Sequence, residues 1–242
     1  MKRCNNMRAS IDSIETLSLV DGPGIRCVVF FNGCKLRCKY CHNPEMWTKK
    51  EENYTPKQLV NRILRCKPYF GDNGGVTFSG GEPLLHSKFI IETAKLLKKE
   101  NINIALDTAG VGNNDYDELL KYIDLVILDI KHTENNSYKD ITGEDIKYVE
   151  EFINNLNKAN KDVWIRQVII PGITDNQEYL NILDLYLKKI KNIKKIEFLP
   201  YHKLGSEKYK VLNIPYPYKD TPEMDKDKCR KLYEDFINKK VT

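Results

Sequence analysis

The chain has 242 residues, 41% hydrophobic and 30% charged, a composition that suits a globular protein with a core of ordinary size. Its longest unbroken apolar run, Cys27 to Phe31, is far too short to cross a bilayer, and no apolar segment follows Lys2 and Arg3 as a secretory signal would require. The net charge of +5 comes from 39 basic and 34 acidic residues spread along the chain without interleaved aromatics, so neither nucleic acid nor membrane is expected as a partner.

In chain order, short β-branched or aromatic runs alternate with longer amphipathic ones. The first expected strand is IRCVVFF at 25–31, followed by a helix over 55–67 with Thr55 as its cap and Pro56 at its first helical position. Strand 75–79 (GVTFS) leads to helix 87–100, and strand 102–108 (INIALDT) to helix 114–123. Strand 124–131 (DLVILDIK) precedes helix 146–159, and strand 162–170 (DVWIRQVII) precedes helix 175–190. Strand 195–201 (KIEFLPY) and a last helix over 224–239 close the chain.

Six strands separated by helices call for parallel βα units with right-handed crossovers. The fold class is therefore α/β, either a doubly wound sheet or an incomplete barrel. Polar residues gather at the strands' C-terminal ends: Cys34, Gly80 to Glu82, Asp107 and Thr108, Asp129 and Lys131, Arg166, and His202. A barrel brings all of these ends to one rim, whereas a doubly wound sheet focuses only a few at its switch point. A partial (β/α)6 TIM-like barrel is expected, as one domain over 1–242 with its core at 11–205 and a C-terminal extension at 206–242.

Seven cysteines without an export signal point to a reducing cytosol, where metal or redox chemistry is favoured over disulfides. Cys34, Cys38 and Cys41 are spaced C-x3-C-x2-C. Three thiolates could hold a four-iron cluster with one iron left open, or a zinc ion with His42 as fourth ligand, or the three could be plain unliganded thiols. His42 abuts Cys41, which makes it awkward as a ligand and better suited to a place beside the metal. Cys27, Cys66 and Cys229 read as small core residues, and Cys4 lies near the terminus.

In SGGEP, Gly80 and Gly81 lack Cβ atoms, so a ligand could approach the backbone, with Glu82 holding charge or geometry. Asp129 and Lys131, two apart on a strand, share a face and should pair with each other or with a charged ligand. Asp107 and Thr108 add oxygen donors for a hard cation. Trp164 shares a face with Arg166 and reads as packing. The lysine-rich run at 188–198 is either a docking face for an acidic partner or ordinary surface.

Taken together, VDGPGIR, FFNGCKLRCKYCHNP, SGGEPLL, LDTAG, LDIK, VWIRQVIIPG and EFLPYHKLG resemble the glycyl-radical-enzyme activases of the radical S-adenosylmethionine superfamily, over residues 11–205. No cysteine lies between Trp47 and Tyr54, where some activases carry a ferredoxin-like insertion, so the resemblance is to the formate-lyase type. It implies a 4Fe-4S cluster on Cys34, Cys38 and Cys41, with S-adenosylmethionine capping the open iron. Reductive cleavage to a 5′-deoxyadenosyl radical, which abstracts a glycine α-hydrogen on pyruvate formate-lyase, is the implied reaction. Tyr40 and His42 would line the adenine side, and Gly80, Gly81 and Glu82 would meet the amine. Asp129, Ile130, Lys131 and His202 would contact the rest of the cofactor, with Arg166 near its methionyl end and Lys131 counted with the catalytic group. Asp107, Thr108, Asp129 and the Ile127 carbonyl resemble a monovalent-cation site for sodium or potassium, and Asp21 a contact to the substrate peptide. Reduced flavodoxin or ferredoxin as electron donor, a cytoplasmic location and a monomeric state complete what is implied.

Overall fold

The computed structural model describes residues 7–241, so Cys4 lies outside the described residues. The strands are β1 (Ile11–Ser18), β2 (Arg26–Phe31), β3 (Gly75–Gly80), β4 (Asn103–Thr108), β5 (Leu125–Ile130), β6 (Asp162–Ile169) and β7 (Ile193–Pro200). They form one sheet in the order β1-β2-β3-β4-β5-β6-β7. β2 to β7 run parallel, each beside its successor, and β1 pairs antiparallel with β2. The strand order never reverses, so the sheet curls one way, as a partial barrel requires and a doubly wound sheet does not. The six expected parallel strands are all present.

β1 was not expected. Its apolar residues Ile11 and Ile14 stand three apart and Leu17 is 53% exposed, so the sequence lacks the period of two that marks a strand, and the pairing with β2 shifts register between Ile11 and Ser13.

The helices are α1 (Pro56–Leu64), α2 (Ser87–Lys99), α3 (Tyr116–Leu120), α4 (Asn135–Thr142), α5 (Lys147–Ala159), α6 (Gln177–Leu187), α7 (Ser206–Val211) and α8 (Lys226–Val241). The start of α1 follows from its sequence: the Thr55 hydroxyl accepts from the Gln58 amide and the Gln58 side chain accepts from the Thr55 amide, a reciprocal cap. No described helix is long and apolar enough to cross a membrane.

Alternation along the strands divides the residues between two faces. Cys27, Val29, Phe31, Val76, Phe78, Leu106, Val126, Leu128 and Ile130 join the main core with residues of the helices. On the inner face, Ala105, Leu125 and Ile127 form a small buried cluster with Trp164 packed on it. Further along the same strands the inner positions become polar, with Ser79, Asp107, Asp129 and Arg166. The apolar cluster thus fills the lower barrel and leaves polar side chains toward the C-terminal rim. α8 covers β7, where Phe198 packs against Tyr233 and Phe236.

Candidate active site

The cysteine loop after β2 is held at both ends. The Gly33 amide donates to the Met46 carbonyl at 2.7 Å and the Cys34 amide to the Trp47 carbonyl at 3.1 Å. Its middle rests on α4: the Arg37 and Lys39 amides donate to the carbonyls of Thr142 and Ile141 at 2.7 and 2.9 Å. The last carbonyls of a helix lack intrahelical partners, and here the loop supplies the donors. Gly143, at φ +81°, ends α4 so that those carbonyls face the loop. Inside the loop, the Cys41 amide donates to the Cys38 carbonyl at 3.0 Å.

Cys34, Cys38 and Cys41 line a cavity of about 410 Å³ at the C-terminal rim. The structure brings Tyr40, His42, Gly80, Gly81, Asp107, Thr108, Asp129, Lys131, Arg166 and His202 to the same cavity. Asn43, Trp47, Ser79, Ala109, Val168, Leu199 and Pro200 also line it and were not singled out from sequence.

Four expected residues do not line the cavity. Glu82 is 0% exposed and stands behind the wall. Its carboxylate accepts from the Thr108 hydroxyl at 2.5 Å and from the Leu84 and Ala109 amides, both at 3.0 Å. It fastens the loop after β3 to the loop after β4, a fixing role rather than a ligand contact. The Ile130 side chain belongs to the outer core and that of Ile127 to the inner cluster, so only their backbones are left to face a ligand. Asp21 lies in the turn between β1 and β2, where its carboxylate accepts from the Ser18 hydroxyl at 2.5 Å and stands 3.8 Å from Arg166.

Charges in the cavity are paired. Lys131 Nζ lies 2.9 Å from Asp129 and 5.6 Å from the Tyr40 ring centre. Burial works against its ammonium, but Asp129 and Tyr40 outweigh that and hold its pKa well above the usual lysine value. Arg166 donates to Glu197 at 3.1 Å and to Asp107 at 3.4 Å. Burial pushes Asp107 up to about 6 even though Arg166 pulls it down. Burial likewise pushes the Cys34 and Cys38 thiols up to about 12 and raises Cys41, while Lys131 pulls Cys38 and Cys41 the other way.

His42 and His202 stack with ring centres 4.1 Å apart and planes 19° off parallel, and His42 Nε2 lies 3.1 Å from the His202 carbonyl. Gly205 makes this contact possible, because a Cβ there would stand 2.7 Å from the His42 Cα. The late motif YHKLG is thereby clamped onto the cysteine loop.

The donor set fits a cluster with a chelated metabolite. Three thiols share a cavity with two carboxylates, an ammonium and a guanidinium, the groups needed to bind both thiolate-seeking iron and an amino-acid moiety. Tyr40 Oη and His202 Nδ1 are buried there without a protein partner, so each is open to a ligand. His42, the fourth ligand a zinc site would need, is instead stacked on His202 with its Nε2 3.1 Å from a carbonyl.

The lysine-rich run sits elsewhere. It joins α6 to the start of β7, at the end of the sheet away from the cavity, with Lys188, Lys189, Lys194 and Lys195 paired to Asp184, Glu150, Asp162 and Glu197. It reads as a neutralised surface, not as a docking face for the site.

Residues 28–185 match the Radical SAM superfamily. A pyruvate formate-lyase-activating enzyme from Clostridium pasteurianum is 49% identical over 224 residues, covering 92% of this chain and 94% of that protein. Another, from Staphylococcus epidermidis, is 40% identical over 242 residues, covering 96% of each. Among solved structures, Streptococcus suis SuiB bound to precursor peptide SuiA superimposes with a TM-score of 0.68 at 15% identity, over 94% of this chain and 48% of that one, a likeness of fold. A three-cysteine rim on a one-way βα sheet, joined to this degree of identity along nearly the whole length, places the chain in the radical SAM superfamily and, within it, in the family of the pyruvate formate-lyase-activating enzymes.

Proposed function

We propose that the chain generates a glycyl radical on pyruvate formate-lyase, with a 4Fe-4S cluster on Cys34, Cys38 and Cys41 and S-adenosylmethionine in the adjoining cavity. The observation that carries this reading is the convergence of those thiols with Asp129, Lys131, Arg166 and His202 on one cavity. When bound, the two groups supply one-electron chemistry that yields an oxidant able to remove a hydrogen atom from a glycine α-carbon.

The chain's own residues bind, orient and exclude. Lys131, kept charged by Asp129, and Arg166 suit a ligand carboxylate, and Asp129 suits an ammonium. The backbone at Gly80 and Gly81 lets an amine approach closely. Tyr40 and the stacked His42–His202 pair offer flat faces to a nucleobase. Val168, Leu199 and Pro200 give the cavity an apolar wall that disfavours water. Asp107, Thr108, Asp129 and the Ile127 carbonyl are proposed to hold sodium or potassium, and Asp21 to meet the backbone of the substrate's glycine loop. Reduced flavodoxin or ferredoxin is proposed to dock over the outer side of the cysteine loop, where Lys35 and Arg37 are exposed. The chain is taken to act as a cytoplasmic monomer, residues 206–242 extending one catalytic domain.

One anaerobic assay tests this reading. Protein reconstituted with iron and sulfide is mixed with S-adenosylmethionine, reduced flavodoxin and pyruvate formate-lyase, and a glycyl-radical doublet is expected by electron paramagnetic resonance. No doublet on a competent lyase would move the reading to another glycyl-radical partner, or to a radical enzyme acting on a small molecule or RNA. Added salt should slow the flavodoxin-driven rate, and a rate indifferent to salt would remove the charged docking face. Replacing sodium and potassium by choline should weaken S-adenosylmethionine binding, and unchanged binding would remove the cation.

A further inference from the structure

The turn at 19–25 is seated on a buried guanidinium. Arg26, at the start of β2, is 0% exposed, as is Thr77 in β3. Arg26 Nε donates to the Thr77 hydroxyl at 3.0 Å, and that hydroxyl donates to the Asp21 carbonyl at 2.6 Å. The other Arg26 donors go to the Asn103 side chain at 2.9 Å and to the Val76 carbonyl. There is no slack in the turn: Gly22 is at φ +130°, and a Cβ on it would stand 3.3 Å from Arg26 Nε. Gly24, at φ +67°, would bring a Cβ to 2.5 Å from the Gly74 amide. From the barrel's other side, Arg166 donates to the Val20 carbonyl.

A fully buried arginine is expensive to desolvate, and packing alone would be met by an apolar side chain. Burial brings the Arg26 pKa down to about 10, so it stays charged at neutral pH and its donors stay available. Those donors are spent on the elements around the turn, and one of them reaches the backbone of Asp21 through a single hydroxyl.

We propose that Arg26 and Thr77 are positioning residues: the Arg26–Thr77–Asp21 chain of hydrogen bonds fixes the Asp21 carbonyl and so aims the Asp21 carboxylate at the glycine-bearing segment of the protein substrate. This rests on the reading of Asp21 as the group that meets that segment. A carboxylate free to wander by an ångström loses the alignment that makes a contact useful.

The test is binding of a fluorescein-labelled peptide carrying the glycine loop of pyruvate formate-lyase, followed by anisotropy on reconstituted protein loaded with S-adenosylmethionine. Thr77→Val should weaken peptide binding by about tenfold, the size of one lost positioning bond, while S-adenosylmethionine affinity stays within about twofold. Thr77→Ser, which keeps the hydroxyl, should restore peptide binding. Asp21→Asn should also weaken it, and adding Thr77→Val to Asp21→Asn should bring little further loss, since both act through one group. If Thr77→Val does not fold, Arg26→Lys keeps the charge but loses the Nε donor aimed at Thr77, and carries the same expectation. Wild-type affinity in the Thr77 or Arg26 variant beside a weakened Asp21→Asn overturns the positioning role alone. Wild-type affinity in Asp21→Asn overturns the reading of Asp21, and the inference with it.

Discussion

Cys38→Ala should leave the protein unable to retain its iron and abolish S-adenosylmethionine cleavage, a fall of about three orders of magnitude or more, at least ~4 kcal/mol of barrier. Cys38 is 8% exposed and sits mid-loop between the amides of Arg37 and Lys39 that α4 holds. No other thiol among the described residues can replace it. Cys27 and Cys66 lie in the main core and Cys229 in a separate buried cluster beneath the C-terminal segment. His42 is stacked on His202, with its Nε2 engaged by a carbonyl. The fold should survive, because Cys38 gives the main core only one small side chain, and most of that core comes from strands and helices. Iron content by colorimetric assay and cleavage product by chromatography, both without oxygen, decide the matter. Wild-type cleavage in the variant would refute the cluster assignment.

Glu82→Ala should be strongly destabilising. It strips an acceptor from the Thr108 hydroxyl and from the Leu84 and Ala109 amides, at a position with 0% exposure. Buried donors left unpaired cost about 1–3 kcal/mol each, so a loss of about 3–5 kcal/mol is expected after partial relaxation, with Tm lower by roughly 10 °C. A melt matching the parent's would show that the bridge between the two loops carries no weight. The same carboxyl gives a pH signature. Burial, against its three donors, pushes its pKa from 4.5 up to about 7. Below about pH 4.5 it is protonated in both states. Between 4.5 and 7 the unfolded chain has released the proton while the fold retains it, so stability falls as pH rises through this window, by ~3 kcal/mol in all. Asp107, raised by burial from 3.8 to about 6, acts in the same direction. Glu82→Gln cannot titrate and should flatten the slope of Tm against pH in the metal-free protein, leaving the part due to Asp107.

Much of the site was legible because chemistry-bearing residues fell at the ends of strand-like runs, and a parallel sheet brings such ends together. The spacing of Cys34, Cys38 and Cys41 and the shared parity of Asp129 and Lys131 needed no tertiary information. Parity also settles Ile130: Ile127 and Asp129 share a face, so Ile130 points outward, where it lies in the main core. Other features were invisible for physical reasons. Glu82 looks like a ligand group until Thr108 and Ala109, from the next strand's end, occupy both its oxygens. The lysine run looked cationic because Glu150 and Asp162, its neutralising partners, are distant in sequence. α4, NNSYKDIT, holds few strong helix formers, so only Gly143 marked its end. Asn43 and Trp47 line the cavity from a loop held by the Gly33 amide on the Met46 carbonyl and the Cys34 amide on the Trp47 carbonyl, and nothing in their residue types marks them.

The uninterrupted order of strands has a bearing on how the molecule comes into being. Each strand from β2 onward finds its neighbour in the segment synthesised just before it. Loop-closure entropy therefore accrues in modest steps, and no pairing waits on a distant stretch of chain. A closed barrel needs its last stave to meet its first before either edge is covered; this one can grow in the direction of translation, each new unit shielding the edge of the one before.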